Sequence, residues 1–343
     1  MKILVTGITG QLGHDVMEEL AARGHEAVGA TRREMPLTDF PALRAQIEAV
    51  RPDAVIHCAA YTAVDRAEAE KETCMIVNGG ATREIAAACR DIGAKLLYKE
   101  ETRSTNEDAK IAAAEGAPDG TVTLTEFQGT GHGRLSRGWF CPKGKGVLFS
   151  VLLRPQNILP QDAPKYTLLA AVAVVRACRA RGLDVGIKWP NDVLADGKKL
   201  VGILTEMSAE MERIHYIVIG TGINVNIEAA EFAPEIRETA TSLSLLAGHP
   251  LDRRQLLADI LQEMETLSLD VQAQGFAPVL DEWRRLSLTL GQEVRVIGVN
   301  ETFTGRAVDI DADGALLVDT ETGRRRVLAA DVSIRPADAR QGR

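Results

Sequence analysis

The sequence predicts an α/β unit first, then an α+β domain with a mixed sheet, and last a small antiparallel β-barrel. Three observations carry this. Up to about residue 98 strand-like and helix-like pieces alternate, the order of a parallel sheet with crossover helices. From there to about 286 the alternation gives way to adjacent strand-like runs and long helical periods. From Gly291 apolar and polar residues alternate between "DADG" and "ETG" turns, as in a short-stranded barrel. The expected domains are 1–98, 99–286 and 287–343.

"KILVT" is a buried strand, "GITGQLG" a glycine turn, and "HDVMEELAARG" a helix stopped by Gly24. "HEAVGA" is a second strand, "DFPALRAQIEAV" a helix, and "DAVIHCAA" a third strand. "VNGGATREIAAACRDIG" is a helix and "AKLLY", 94–98, a fourth strand. The polar run "KEETRSTNEDAKIAAAEG" becomes a helix, with Ser104 or Thr105 suited to cap it. "GTVTLTEFQ" and "GVLFSVLLRP" are strands around a glycine- and arginine-rich loop, and "YTLLAAVAVVRACRARG" is the clearest helix. "DVGIKWP", "KLVGILTEMS" and "HYIVIGTGINVNI" read as adjacent strands, the last two a hairpin, and helical periodicity returns over 251–285.

A chain of 343 residues, 45% apolar and 26% charged, has the composition of folded domains. Its formal net charge of −8 argues against a general nucleic-acid binder. Five widely spaced cysteines without a C-x-x-C pair suit a reducing compartment. No apolar run is long enough to cross a bilayer, and the N-terminus enters a strand directly, so a cytoplasmic protein is expected. The six histidines show no metal-ligand spacing, so no metal site is expected. Oligomeric state is open, a homodimer included.

Gly7, Gly10 and Gly13 lie between a strand and a helix, where glycines let a pyrophosphate approach the backbone and helix N–H groups. The second strand ends in "ATRR", so Arg32 and Arg33 would favour a 2′-phosphate and hence NADP. With "RPDAVIHCAAYTAVDRAEAE" and "VNGGATREIAAACRDIGAKLLY", the first 98 residues resemble dTDP-4-dehydrorhamnose reductase, an extended short-chain dehydrogenase. The resemblance implies a half-Rossmann unit and, as the alternative function, an NADP-dependent oxidoreductase. That chemistry needs a Tyr-x-x-x-Lys pair. The residues four places after Tyr61, Tyr98, Tyr166 and Tyr216 are Asp65, Thr102, Ala170 and Gly220, so an inactive, vestigial unit is expected.

From about Tyr98 to Arg335 the chain resembles biotin protein ligase, the biotin–[acetyl-CoA-carboxylase] ligase family. The likeness rests on "RSTNEDAKIAAAEGAPDGTV", "FQGTGHGRLSRGWFCPKGKGVLFSVLLRP", "KWPNDVLADGKKLVGILTE" and "IGTGINVNI" with "ATSLSLLAGHPLDRRQLLADIL". It implies an ATP-dependent enzyme that forms biotinyl-5′-AMP and passes biotin to a lysine of a biotin carboxyl carrier protein. It also implies an SH3-like fold for the tail. No helix-turn-helix pattern precedes the catalytic part, so DNA binding is not expected.

Adenylation brings a carboxylate onto an α-phosphate, and charge grows on the phosphoryl oxygens. Lys188, a compact charge at a strand end, suits both anions, with Trp189 walling it and Pro190 fixing the turn. Asn191 and Asp192 either orient that lysine or hold Mg²⁺. In "GTGHGRLSRGW", Gly131 and Gly133 expose backbone N–H groups while Arg134 and Arg137 add forked donors. By resemblance this loop, with Trp139, closes over biotin and the adenylate. The family's G-R-G-R-x-G-R pattern has His132 for its first arginine and Ser136 for its third glycine. Those departures bear on retention of the adenylate. Ser104, Thr105, Asn106 and Gln128 match positions that hold biotin's ureido ring, and Lys199, Gly202 and Asn224 belong to the same motifs. "AKLLY" is claimed by both resemblances, and since one strand serves one sheet, the ligase part is expected to keep it.

Overall fold

The computed structural model describes residues 2–59, 70, 76–77, 81, 85, 96–134, 137–156, 158–210, 213–298, 301–329 and 333–336. Most of the helix expected over 77–93 lies outside them, as do Tyr61, Cys74, Cys89 and Ser136. The chain divides into two compact units, Met1–Tyr98 with Ile111–Leu124 and Lys99–Lys110 with Thr125–Arg343.

In the first unit, β1 (Lys2–Thr6) pairs in parallel with β2 (Glu26–Ala30) and β3 (Ala54–His57), in the order β2-β1-β3. Helix α1 (Gln11–Ala22) starts three residues earlier than its apolar pattern suggests, so Gly13 lies inside it. A Cβ at Gly13 would stand 2.3 Å from the Gly7 carbonyl oxygen, and one at Gly7 (φ +71°) would stand 2.7 Å from the Ala59 amide nitrogen. These glycines bring turn, strand and helix together. Helix α2 (Phe40–Val50) is capped by Asp39, whose carboxylate accepts from the Ala42 amide at 3.0 Å. Leu4, Leu43 and Ile47 are fully buried between sheet and helix. Arg32 is exposed beyond β2.

The second sheet has seven strands in the order β4-β5-β6-β10-β9-β8-β7. These are β4 (Leu96–Thr102), β5 (Thr121–Gln128), β6 (Gly146–Leu153), β7 (Gly186–Lys188), β8 (Asp192–Ala195), β9 (Lys198–Glu210) and β10 (Arg213–Asn224). The contested strand, described from Leu96, forms an edge of this sheet, and among the described residues the first unit's sheet has the order β2-β1-β3. Lys99–Thr102, expected in a helical segment, continue β4, and α3 (Thr105–Ala114) begins only after Ser104. "KWP" and "KLVGIL" are not neighbours: β8 stands between them, because Asp196 (φ 49°) and Gly197 (φ 74°) make a two-residue hairpin turn.

Helix α4 (Ala163–Arg179) packs on β9 and against α6 (Arg253–Gln274) and α7 (Ala277–Leu286), while a one-turn α5 (Leu243–Ala247) precedes them. Leu169 and every residue from Ala170 to Val175 are fully buried, which explains a helix apolar on nearly all sides. Arg176 ties the three helices, with Nη1 2.9 Å from Glu263 and Nη2 2.5 Å from Glu282.

The tail forms a five-stranded antiparallel sheet, in the order β14 (Gly323–Val327), β13 (Leu316–Thr320), β12 (Thr302–Ile310), β11 (Glu293–Ile297) and β15 (Ser333–Pro336). Among the described residues β14 and β15 are its two edges and do not pair. Lys165, at the start of α4, donates to the Ala312 carbonyl at 3.1 Å, and Arg284 of α7 reaches Asp309 at 2.7 Å. Trp283 is fully buried between these elements. Trp283→Ala is expected to lower the stability of the second unit by about 3–5 kcal/mol, read as an earlier urea midpoint.

Candidate active site

One cleft gathers nearly all the candidate residues. It encloses about 870 Å³ of empty space, open solvent at its mouth included, and lies within the second unit. Its floor is bare backbone. Gly202 of β9 and Gly222 of β10 face each other across the strand pair, and Gly220 pairs with Leu204. A Cβ at Gly222 would lie 2.6 Å from the Trp139 ring, one at Gly202 2.9 Å from it, and one at Gly220 2.0 Å from Asn106 Oδ1. Side chains at these positions would fill the space that Trp139 and Asn106 occupy. Lys199 Nζ stands 5.6 Å from the Trp139 ring centre. The Trp139 indole N–H is buried without a protein acceptor.

One wall is a polar network. Gln128, at the end of β5, accepts from the Thr105 amide at 2.8 Å, satisfying the first N–H of α3. Ser150 Oγ donates to Asn106 Oδ1 at 2.6 Å and stands 2.7 Å from Thr105 Oγ1. Asn106 Nδ2 donates to Glu206 at 2.7 Å. Ser104, Thr105, Asn106 and Ser150 are all buried, and these bonds hold the rotamers of Thr105, Asn106 and Ser150. Ser150 escaped the sequence reading, although one hydroxyl in the apolar run "GVLFSVLL" marks it.

The opposite wall is cationic. Lys188 ends β7 directly opposite Asp192 of β8, its Nζ 4.0 Å from the carboxylate. Lys199 Nζ holds the other carboxylate oxygen at 2.7 Å. Burial pushes the Lys188 ammonium below the usual lysine range; Asp192 opposes this, and Arg335, Lys199 and Arg137 add to it. Trp189 is buried behind it, its amide bonded to Thr289 Oγ1 at 2.9 Å and its indole to the Gly314 carbonyl at 3.1 Å. Asn191 Nδ2 donates to the Ile203 carbonyl at 2.8 Å, while its Oδ1 receives Arg134 at 3.3 Å.

The glycine–arginine loop folds back on itself: the Gly133 amide donates to Arg137 O at 2.7 Å and the Trp139 amide to Gly131 O at 2.8 Å. Gly131 supports this base from outside the cleft lining. Asn224 also lies outside the lining, with its Nδ2 bound to the Thr241 carbonyl at 3.0 Å. Arg134 reaches the Ala329 carbonyl as well, and Ile334 and Arg335 of β15 line the cleft. Arg335 was missed because nothing local in "SIRP" shows that the tail returns to the site.

The cleft therefore sets five cations (Lys188, Lys199, Arg134, Arg137 and Arg335) against the single carboxylate of Asp192. Such a wall takes anions, and the neutral network opposite takes a rigid polar head group. The donor set does not fit a resident Mg²⁺, because the described lining offers one carboxylate among five cations. A magnesium ion would have to arrive with phosphate oxygens. At the first unit's glycine turn, the Gly10 amide donates to the Gly7 carbonyl at 3.0 Å.

Comparison with known proteins finds three matching regions along the chain. Residues 1–102 match the RmlD substrate binding domain, 98–224 the biotin/lipoate A/B protein ligase family, and 289–335 the biotin protein ligase C terminal domain. A bifunctional ligase/repressor BirA from Bacillus spizizenii is 41% identical over 244 residues, 71% of this chain and 75% of its own length. A biotin–[acetyl-CoA-carboxylase] ligase from Mycobacterium tuberculosis is 35% identical, over 67% of this chain and 85% of its own. Among solved structures, a biotin protein ligase from Aquifex aeolicus in complex with biotin and ATP aligns with a TM-score of 0.63 and 29% identity, over 71% of this chain and 99% of that one. The N-terminal part is 44% identical to a dTDP-4-dehydrorhamnose reductase from Streptomyces griseus over 94 residues, 27% of this chain and 31% of that protein's length. On its ligase portion, the chain belongs to the biotin protein ligase family.

Proposed function

We propose that the second unit is an ATP-dependent biotin ligase, and that the cleft between its cationic wall and glycine floor is where biotin and ATP meet. The observation that carries this is the desolvated Lys188 ammonium facing a glycine–arginine loop across a floor without side chains. The biotin carboxylate oxygen attacks the α-phosphorus, the bond to the β-phosphate breaks, and pyrophosphate leaves. Lys188 draws the two anions together, and Arg134, Arg137 and Arg335 take up charge on the phosphoryl oxygens. Thr105, Asn106 and Gln128 hold the ureido ring, while Trp139 and Gly202 shape the channel for the aliphatic chain. In the second step a lysine of a carboxyl carrier protein attacks the acyl carbon and AMP leaves. Proximity supplies most of that step, because no base beside the cleft is needed once the carrier amine is neutral.

The same reading places the domain limits near 98 and 287, the latter supported by the C-terminal match over 289–335. It takes the five-stranded tail as an SH3-like barrel, supported by its antiparallel order. The repressor half of the BirA name is not carried over, because residues 1–102 match a reductase family instead. The first unit is read as a remnant of that family without its chemistry.

Lys188→Gln is expected to reduce biotin-dependent ATP–pyrophosphate exchange by about 10²-fold or more; exchange equal to that of the native chain would end this reading. Because the free cleft lowers the Lys188 pKa, its ammonium is lost on raising the pH before an ordinary lysine, near 10.4, would lose its own. Exchange at low substrate concentration is therefore expected to fall on the alkaline side below that value, and the fall is expected to vanish from the residual activity of Lys188→Gln. Gly222→Ala is expected to displace Trp139 and weaken biotin binding about tenfold by calorimetry, with an unchanged far-ultraviolet dichroism spectrum.

A further inference from the structure

His132 carries a feature that the ligase reading leaves unused. It sits on the glycine–arginine loop where the family has its first arginine, and its ring faces two carboxylates from other elements. Glu107 comes from the first turn of α3 and Glu206 from β9. One ligand-capable atom from each of the three residues lies within 4.8 Å of the others. His132 Nδ1 is 3.3 Å from the Thr130 carbonyl. A carbonyl partner keeps the proton on Nδ1, so that in the neutral imidazole Nε2 is the nitrogen that offers a lone pair. Lys110 Nζ lies 2.7 Å from both Glu107 and Glu206, and Asn106 holds the second Glu206 oxygen at 2.7 Å. Two carboxylates thus share one ammonium.

We propose that Glu107, His132 and Glu206 bind a divalent transition-metal ion of the zinc or cobalt class, which clamps the loop to α3 and β9. One imidazole nitrogen and two carboxylate oxygens suit a borderline cation, whereas Mg²⁺ and Ca²⁺ prefer oxygen alone. Metal–ligand bonds of about 2.1 Å put tetrahedral ligand atoms roughly 3.4 Å apart. The three side chains therefore draw in by little more than 1 Å, which exposed Glu107 and His132 can do by rotamer and loop adjustment. The metal displaces Lys110, whose flexible stem carries the ammonium out to water. Water completes the coordination. Spacing along the chain could not reveal the site, since its ligands come from a helix, a loop and a strand. Because His132 also lines the cleft, bound metal ties the loop's position to the supply of that ion.

The test is a Co²⁺ titration of the full chain without ATP or biotin, followed by visible d–d absorption. One ion is expected to bind. His132→Ala and Glu107→Gln are each expected to weaken binding at least about 10-fold, while Lys110→Met, which removes the competing cation, strengthens it by a similar factor. Far-ultraviolet dichroism confirms that each variant is folded. No binding by the native chain, binding that survives either ligand substitution, or no gain from Lys110→Met overturns the proposal. The assay contains no biotin or ATP, so its failure leaves the ligase reading standing, and loss of pyrophosphate exchange leaves the metal site standing.

Discussion

A lysine with most of its surface withdrawn from water is the constraint around which the cleft of the second unit is arranged. Burying an unpaired ammonium is costly. The chain meets the cost with one shared carboxylate, Asp192, placed opposite Lys188 by the β7–β8 pairing and held also by Lys199. The compensation is deliberately partial. Three guanidinium groups and Lys199 line the same space, so the cleft gathers cations in a chain of net charge −8. Packing elsewhere in the unit carries that local penalty, as is usual where charge is assembled for function.

That support is visible in the connections behind the site. Trp189, next to the lysine, is anchored to Thr289 and to the Gly314 turn of the C-terminal sheet, and Lys165 and Arg284 bind the same sheet to the helices. The tail is thus part of the active-site wall, and Arg335 is its direct contribution. The glycine floor sets a second condition. Glycine weakens a strand by roughly 0.5–1 kcal/mol relative to alanine. The two strands that carry Gly202, Gly220 and Gly222 are the longest of the sheet, at 13 and 12 residues, and are paired over most of their length. Long pairing lets the floor remain bare without losing register.

The junction between the two halves follows from the same economy of strands. Leu96–Tyr98 belong to β4, at the edge of the seven-stranded sheet, and the parallel sheet of the first unit has three strands among the described residues. The N-terminal family match runs to residue 102 and so includes β4, where it overlaps the ligase match that begins at 98.

Much of this was legible before any coordinates. Period-two and period-3.6 patterns located the strands and helices, because burial of one face is a local property. The embedded "KWPND", "STN" and glycine–arginine motifs named most residues of the cleft, because chemistry demands particular side chains at particular spacings. Three kinds of fact depended on folding in three dimensions. β8 was hidden because four residues between two turns carry too little pattern. Ser150, Gly220 and Gly222 acquired meaning only when strands far apart in sequence were laid side by side. Arg335 and the Glu107–His132–Glu206 group came together across separations of up to about 230 residues, from Ser104 to Arg335. Local sequence specifies which face a residue takes, whereas distance between elements is set by packing of the whole core, and no short window of residues contains that information.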